Sequence, residues 1–297
     1  MELRYLQSLI TVADEGSFTR ASEKLFVSQP ALSQQIRQLE EELGSILLDR
    51  VGRGVKLTSA GELFYRHAQR VFQELDEAKV ALQELEGLQR GSLAVGVVQT
   101  INAYLIPQVV AQFANVYPAI SLRIEEMPTA EIEEGLEEGR LQLGIGFTPP
   151  GNANINSEEL FNEELVLIVS KEHELATQVA IKIKDLNEFP LVLLSKAYCT
   201  RRLWDKCAQQ ANIQPRIVAE MNTIGAIMGA VQCAKAGSIL PKLALTHRHL
   251  AELVAISLRE PTPQRSVGLL WRRNGYKCAA TRAFSDIVKE FVEKEIT

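Results

Sequence analysis

An α+β chain in three successive parts is what this sequence of 297 residues predicts, and three observations carry the prediction. Two short amphipathic helices joined by a tight turn lie between Ser17 and Gly44, with a glycine-rich, cationic hairpin just beyond them. A heptad repeat runs from Phe64 to Leu85. From Leu93 onward, short apolar runs alternate with helical segments.

In the first part, Leu32, Ile36, Leu39 and Leu43 recur at helical spacing and line one buried stripe. Pro30, Ser33, Gln34 and Arg37 fall on the far side, a row with the hydroxyl, amide and guanidinium groups that read base edges. Ser28 is the expected N-cap, with Pro30 in the first turn, where a missing N–H costs little. The preceding helix opens near Ser17 and offers Phe18, Ala21, Ser22 and Leu25 for burial. An ordinary pair of packed surface helices shows similar patterns. The hairpin from Leu48 to Leu57 favours a winged helix-turn-helix instead, with Arg53 at its tip placed to enter a minor groove.

Net charge by itself points away from a polyanionic partner, since 32 basic side chains face 37 acidic ones for a net charge of −5. Position therefore decides. Glu40, Glu41 and Glu42 gather at the far end of the second helix, while Arg37, Arg53 and Lys56 are set to approach phosphates, so sequence-independent affinity is expected to be modest and salt-sensitive.

The second part, from Thr58 to about Leu88, reads as one long helix. Phe64, Ala68, Val71, Leu75, Ala78, Leu82 and Leu85 form the a/d seam of a coiled coil. A helix of about 30 residues is about 45 Å long, more than a small domain covers alone. Dimerisation through this seam is expected, with packing on the chain's own core as the other possibility. A two-fold dimer would pair two recognition helices on a pseudo-palindromic site.

The third part shows strand-like runs at 93–98, 120–124, 143–147, 165–169, 191–194, 217–220, 238–240 and 267–271, with helices between them, which predicts mostly parallel sheets. Ligands of open parallel sheets sit beyond the carboxyl ends of the strands. The residues there are Gln99, Thr100, Thr148, Ser195, Thr200, Asn222 and Thr223, a set richer in hydroxyls and amides than in charges. Helix capping is the competing role for Thr100, Asn222 and Thr223.

At Phe18-Thr19-Arg20-Ala21-Ser22, Val27-Ser28-Gln29-Pro30-Ala31-Leu32-Ser33, Ile36-Arg37-Gln38-Leu39-Glu40 and Leu57-Thr58-Ser59-Ala60-Gly61 the chain resembles the LysR-type transcriptional regulators, and the likeness runs its whole length. Within that family it looks most similar to the cyanate-operon regulator subgroup. The resemblance implies a winged helix-turn-helix over 1–58, a linker dimerisation helix over 59–90 and an effector-binding domain over 91–297. That last domain would hold two α/β subdomains similar to periplasmic solute-binding proteins, one about 91–161 with 266–297 and the other about 162–265, with a ligand cleft between them.

Thr19, Arg20, Gln29, Pro30, Ser33, Gln34, Arg37 and Arg53 are then the expected DNA contacts, and positions matching Thr100, Ser195 and Thr200 commonly line the effector pocket. Many aromatic-acid-responsive relatives have an arginine where this chain has Phe147, so a small anion or neutral molecule is favoured over a large dicarboxylate. The implied partners are double-stranded DNA with an interrupted pseudo-palindrome, a small-molecule effector, further copies of the chain in a homodimer or homotetramer, and RNA polymerase.

Other motifs carry less. His247-x-His249 has no acidic or thiol partner nearby and reads as a loop rather than a metal site, and His67 and His173 read as surface residues. Gly144-x-Gly146 lacks a third glycine, and Glu131 to Glu138 reads as a solvated helix face. The four cysteines, Cys199, Cys207, Cys233 and Cys278, form no C-x-x-C pair, so free thiols are expected, with Cys199 beside the candidate pocket. No run approaches eighteen apolar residues and the N-terminus lacks a signal-peptide pattern, so a cytoplasmic chain without membrane or cofactor is expected. The rival reading, an α/β enzyme or solute-binding protein whose N-terminal helices serve only oligomerisation, lacks a recognisable catalytic constellation.

Overall fold

Capping residues set the first three helices, α1 (Leu3–Glu15), α2 (Phe18–Leu25) and α3 (Gln29–Leu43). The Ser17 hydroxyl accepts from the Arg20 N–H at 3.4 Å and the Ser28 hydroxyl from the Ala31 N–H at 3.3 Å. Gly16 and Gly44 close α1 and α3 in the left-handed region, where an amino acid without Cβ meets no penalty. The computed structural model describes residues 1–51, 54–84, 91–245 and 252–296, in two compact units, Met1–Leu85 and Glu86–Thr297.

In the first unit, Leu6, Leu9, Val12, Ala21, Leu32, Ile36 and Leu39 form a core with Leu47 and Leu48, at the start of strand β1 (Leu48–Val51). β1 pairs antiparallel with β2 (Gly54–Leu57). The Glu40 carboxylate accepts from the Leu47 and Leu48 N–H groups at 2.8 and 3.2 Å, so it ties α3 to the hairpin as well as standing back from the polar row.

Helix α4 (Ser59–Glu84) starts where the Thr58 hydroxyl accepts from the Gly61 N–H at 2.9 Å. Gly61 is obligatory on steric grounds: a Cβ there would overlap the Leu47 carbonyl. The heptad seam divides. Phe64 and Ala68, joined by Phe72, pack on the unit's own core, whereas Val71, Leu75 and Leu82 are 40%, 39% and 65% exposed. Leu85 lies outside the described residues.

The second unit opens with β3 (Gly91–Val97), α5 (Gln99–Tyr104), α6 (Ile106–Val116), β4 (Ile120–Glu126), α7 (Thr129–Glu137), β5 (Leu143–Thr148) and the long β6 (Ile155–Ser170). It continues with β7 (Ala180–Lys182), β8 (Pro190–Leu194), α8 (Cys199–Gln210), β9 (Arg216–Met221), α9 (Ile224–Cys233), β10 (Ser238–Pro241), β11 (Leu253–Arg259), β12 (Gln264–Arg272) and α10 (Ala279–Glu295). Strand order along the main sheet is β4-β3-β5-β12-β6-β11-β7, with β10 also on β6, and β8 and β9 pair separately.

The mostly parallel sheets expected from the sequence are only part of this arrangement. β3 pairs parallel with β4 and β5, and β8 with β9, but β12 runs antiparallel to both β5 and β6, as do β10 and β11 to β6. The reason is topological: β6 carries the chain out of one core and β12 brings it back beside β6, so the two must run in opposite directions. Ile155 and Phe161 of β6 belong to a first core with Val95, Ile101, Ile145, Val267 and Phe284. Further along, Leu165, Leu167 and Val169 face a second core around Trp204, and Val166 and Ile168 face a third around Ile227 and Val231. Among the described residues no helix is long and apolar enough to cross a membrane.

Candidate functional site

Two places gather the residues singled out from the sequence, one in each unit. On α3, Gln29, Pro30, Gln34 and Arg37 are exposed and Ser33 is half-buried, so the polar row stands free opposite buried Leu32, Ile36 and Leu39. Gln29, Gln34 and Arg37 engage no other side chain among the described residues. Thr19 and Arg20 are exposed on α2, where Arg20 pairs with Glu15 at 3.5 Å. Arg53 lies outside the described residues.

In the second unit a pocket of about 280 Å³, counting its open mouth, is lined by Val98, Gln99, Thr100, Met127, Pro128, Phe147, Tyr198, Cys199 and Thr200. Its floor is polar and buried. Gln99 and Thr100 stand in the first turn of α5, and Thr200 in the first turn of α8. Both threonines hydrogen-bond one cation: Arg265 of β12 donates to the Thr200 hydroxyl at 2.8 Å through Nη1 and to the Thr100 hydroxyl at 3.0 Å through Nη2. Its Nε donates to Glu163 of β6 at 2.5 Å, and its guanidinium lies 3.8 Å from the Phe147 ring centre.

The Arg265 and Glu163 side chains are 8% and 1% exposed, so this is a buried ion pair on the two strands that join the cores, at directly facing positions. The Tyr104 hydroxyl donates to the other Glu163 oxygen at 2.9 Å, and burial holds its pKa far above the ordinary value, so it remains a donor. Arg265 thus ties α5 to α8 through their threonines, anchored by a carboxylate that cancels its charge.

The remaining sequence candidates do other work. Thr148 ends β5 with its methyl beside Gly268, away from the pocket lining, because successive strand residues face opposite sides and Phe147 takes the pocket side. Ser195 forms the turn before α8, its N–H donating to the Met221 carbonyl at 3.2 Å. Asn222 acts through its main chain, its carbonyl accepting from the Gln99 amide and from the Tyr198 hydroxyl. Thr223 caps α9, accepting from the Ala226 N–H at 3.4 Å, while Thr100 is no cap at all.

Sequence reasoning missed Arg265, Glu163, Tyr104 and Tyr198. The available signal was strand alternation: Arg265 shares a face of β12 with Val267 and Leu269, both buried, which marks it as an inward-facing cation. The pocket is therefore less free of charge than the candidate set implied. Cys199 is half-buried in the lining and receives an Arg202 N–H at 2.9 Å. Among the described residues no cluster of His, Cys, Asp and Glu could hold a metal ion, and His247 and His249 lie outside them.

Comparison with known proteins follows the same division. Residues 3–62 match the family described as bacterial regulatory helix-turn-helix protein, lysR family, and residues 86–293 match the LysR substrate binding domain. A probable RuBisCO transcriptional regulator of Trieres chinensis is 32% identical over 95% of this chain and 94% of its own length. Full-length OxyR of Pseudomonas aeruginosa superposes with a TM-score of 0.77 at 28% identity, covering 97% of this chain and 95% of that one. The effector binding domain of QuiR in complex with shikimate matches 70% of this chain and all of its own, with a TM-score of 0.59 at 25% identity.

Proposed function

Because this chain belongs to the LysR family of bacterial transcriptional regulators, we propose that its α3 row reads DNA and that an effector in the Thr100–Thr200 pocket biases how it does so. That family membership leaves the enzyme reading without support. Gln29, Pro30, Ser33, Gln34 and Arg37 contact base edges in the major groove, Thr19 and Arg20 hold phosphates, and Arg53 enters the minor groove. The domains are the winged helix-turn-helix over 1–58, the linker helix over 59–90 and the effector domain over 91–297, its two subdomains meeting at the pocket.

The observation that carries this reading is Arg265, one side chain bound to a threonine of α5 and a threonine of α8. A ligand that touches those threonines differs in affinity between arrangements of the two elements, and only such a difference shifts an equilibrium. Exposed Val71, Leu75 and Leu82 on α4 support a second copy of the chain, giving a dimer or a tetramer on an interrupted pseudo-palindrome. The relative named for RuBisCO regulation and the shikimate-bound QuiR domain support a regulator that answers to a small molecule. Its action in the cytoplasm and with RNA polymerase is part of what we propose.

The test is a footprint on the chain's own upstream DNA. Gln34→Ala and Arg37→Ala each lose about 1–3 kcal/mol of sequence-specific binding while the fold and dimer persist. Wild-type footprints from both variants would remove α3 from the groove.

A further inference from the structure

The hydrogen-bond polarity of the pocket floor specifies the chemistry of what fills it. A threonine hydroxyl has one proton to donate, and a guanidinium has none of the lone pairs needed to accept it. Thr100 and Thr200 each accept from Arg265, so both protons are directed elsewhere, and among the described residues neither finds an acceptor. Both residues are nearly fully buried. Gln99, also buried, is fixed the other way round: its amide N–H donates to the Asn222 carbonyl, which can only accept, and its Oε1 is left without a partner.

Three buried side chains thus offer two unmatched donors and one unmatched acceptor within one pocket, and each such group left unpaired costs about 1–3 kcal/mol. Charge is set by the surroundings. The lining contains no carboxylate, Glu163 already neutralises Arg265, and α8 presents its first turn there with no side-chain cap from Tyr198. Free N–H groups at that helix end favour an anion. Met127, Pro128, Phe147 and Tyr198 supply an apolar wall for a carbon skeleton.

Resting on the proposed pocket, we propose that the effector is a small hydroxycarboxylate. Its carboxylate accepts from Thr100 and Thr200, its hydroxyl donates to the Gln99 Oε1, and its carbon skeleton lies on the apolar wall. Arg265 sets the preference without touching the ligand, by fixing both hydroxyls as donors.

Thermal melts of the full chain test this with three probes of one size at matched ionic strength: racemic lactate, propionate, which lacks the hydroxyl, and lactamide, which lacks the charge. Lactate is expected to raise Tm, and the other two to bind at least about tenfold more weakly, the equivalent of one unpaired buried group. Gln99→Leu is expected to reduce lactate to the level of propionate without changing propionate, and Thr100→Val with Thr200→Val to abolish both responses.

Equal stabilisation by lactate and propionate, or by lactate and lactamide, overturns the assignment, as does no shift with any probe. A lactate shift that survives the double threonine substitution overturns the pocket itself. If lactate binds as expected yet leaves the DNA footprint unchanged, the ligand class stands and the regulatory role of the pocket falls. Gln99→Leu leaves the Arg265 contacts intact, so it keeps the test decisive where the threonine variant does not fold.

Discussion

Glu163→Leu removes the anion from a site where Arg265 has almost no access to water, and the cost follows from what is left behind. With the Arg265 side chain 8% exposed and Glu163 1% exposed, the substitution strands a buried cation, a loss of about 3–5 kcal/mol. For a unit of about 200 residues each kcal/mol moves the midpoint by about 2–4 °C, so Tm is expected to fall by about 6–20 °C. Arg265→Met strands Glu163 and is expected to cost a similar amount. The double variant, Glu163→Leu with Arg265→Met, exchanges the pair for apolar volume and is expected to come out far milder than the sum, the remaining deficit being the Tyr104 hydroxyl that loses its acceptor. Tyr104→Phe added to the double variant is expected to recover part of it. Both tryptophans, Trp204 and Trp271, lie in this unit, so their fluorescence in thermal and urea melts follows it separately from the N-terminal unit. Single substitutions that cost below about 1 kcal/mol, or a cycle that is simply additive, would refute the claim that the two charges depend on each other.

Gly61→Ala forces α4 away from the Leu47 carbonyl and is expected to destabilise the N-terminal unit by at least about 2 kcal/mol, read by hydrogen exchange at the hairpin amides. Ser28→Ala removes the hydroxyl that receives the Ala31 N–H and is expected to cost about 1 kcal/mol and fray the N-terminal end of α3, read by its helical amide protection. Val71→Asp with Leu75→Asp places charges on the exposed part of the heptad and is expected to shift sedimentation toward the monomer at micromolar concentration while the helix-turn-helix core stays folded. Glu220 accepts a hydrogen bond from Arg201 at 2.7 Å, which holds its carboxyl below the ordinary value of 4.5. Its stabilising effect is present above that ordinary value and disappears as pH falls through the lowered one, so Glu220→Gln is expected to lower Tm at neutral pH and to match the parent in strong acid.

The helix-turn-helix was legible because its signals are local: a helix opening near Ser17, Ser28 as a cap with Pro30 in the first turn, and an apolar stripe from Leu32 to Leu43 with helical spacing. The heptad was legible as a pattern but not in its use, since the same spacing serves Phe64 and Ala68 inside one chain and leaves Leu75 and Leu82 outside. In the α/β unit the apolar run 165–169 was plain, whereas the first half of β6, from Ile155 to Glu163, is mostly polar and becomes a strand only because β12 lies alongside it. β11, an antiparallel partner of β6, was missed although Leu253, Val254, Ala255, Ile256 and Leu258 give it an apolar run of its own. The pocket showed the same limit. Gln99, Thr100 and Thr200 follow strands and could be found by position, but Arg265 lies 165 residues from Thr100 and 102 from Glu163, and only the fold puts them on one floor.

The place of β12 between β5 and β6 has a consequence for the chain as it is made. Val95, Ile101 and Ile145 begin a core that remains open on one side until residues 264–272 arrive, some hundred positions after β6 has left the ribosome. At about 5–20 residues per second this interval lasts roughly 5–20 s. During it the nascent sheet presents two unpaired edges, β5 and β6, each the proper partner of a strand not yet synthesised. Synthesis order therefore leaves this half of the unit open to edge-to-edge association until β12 arrives.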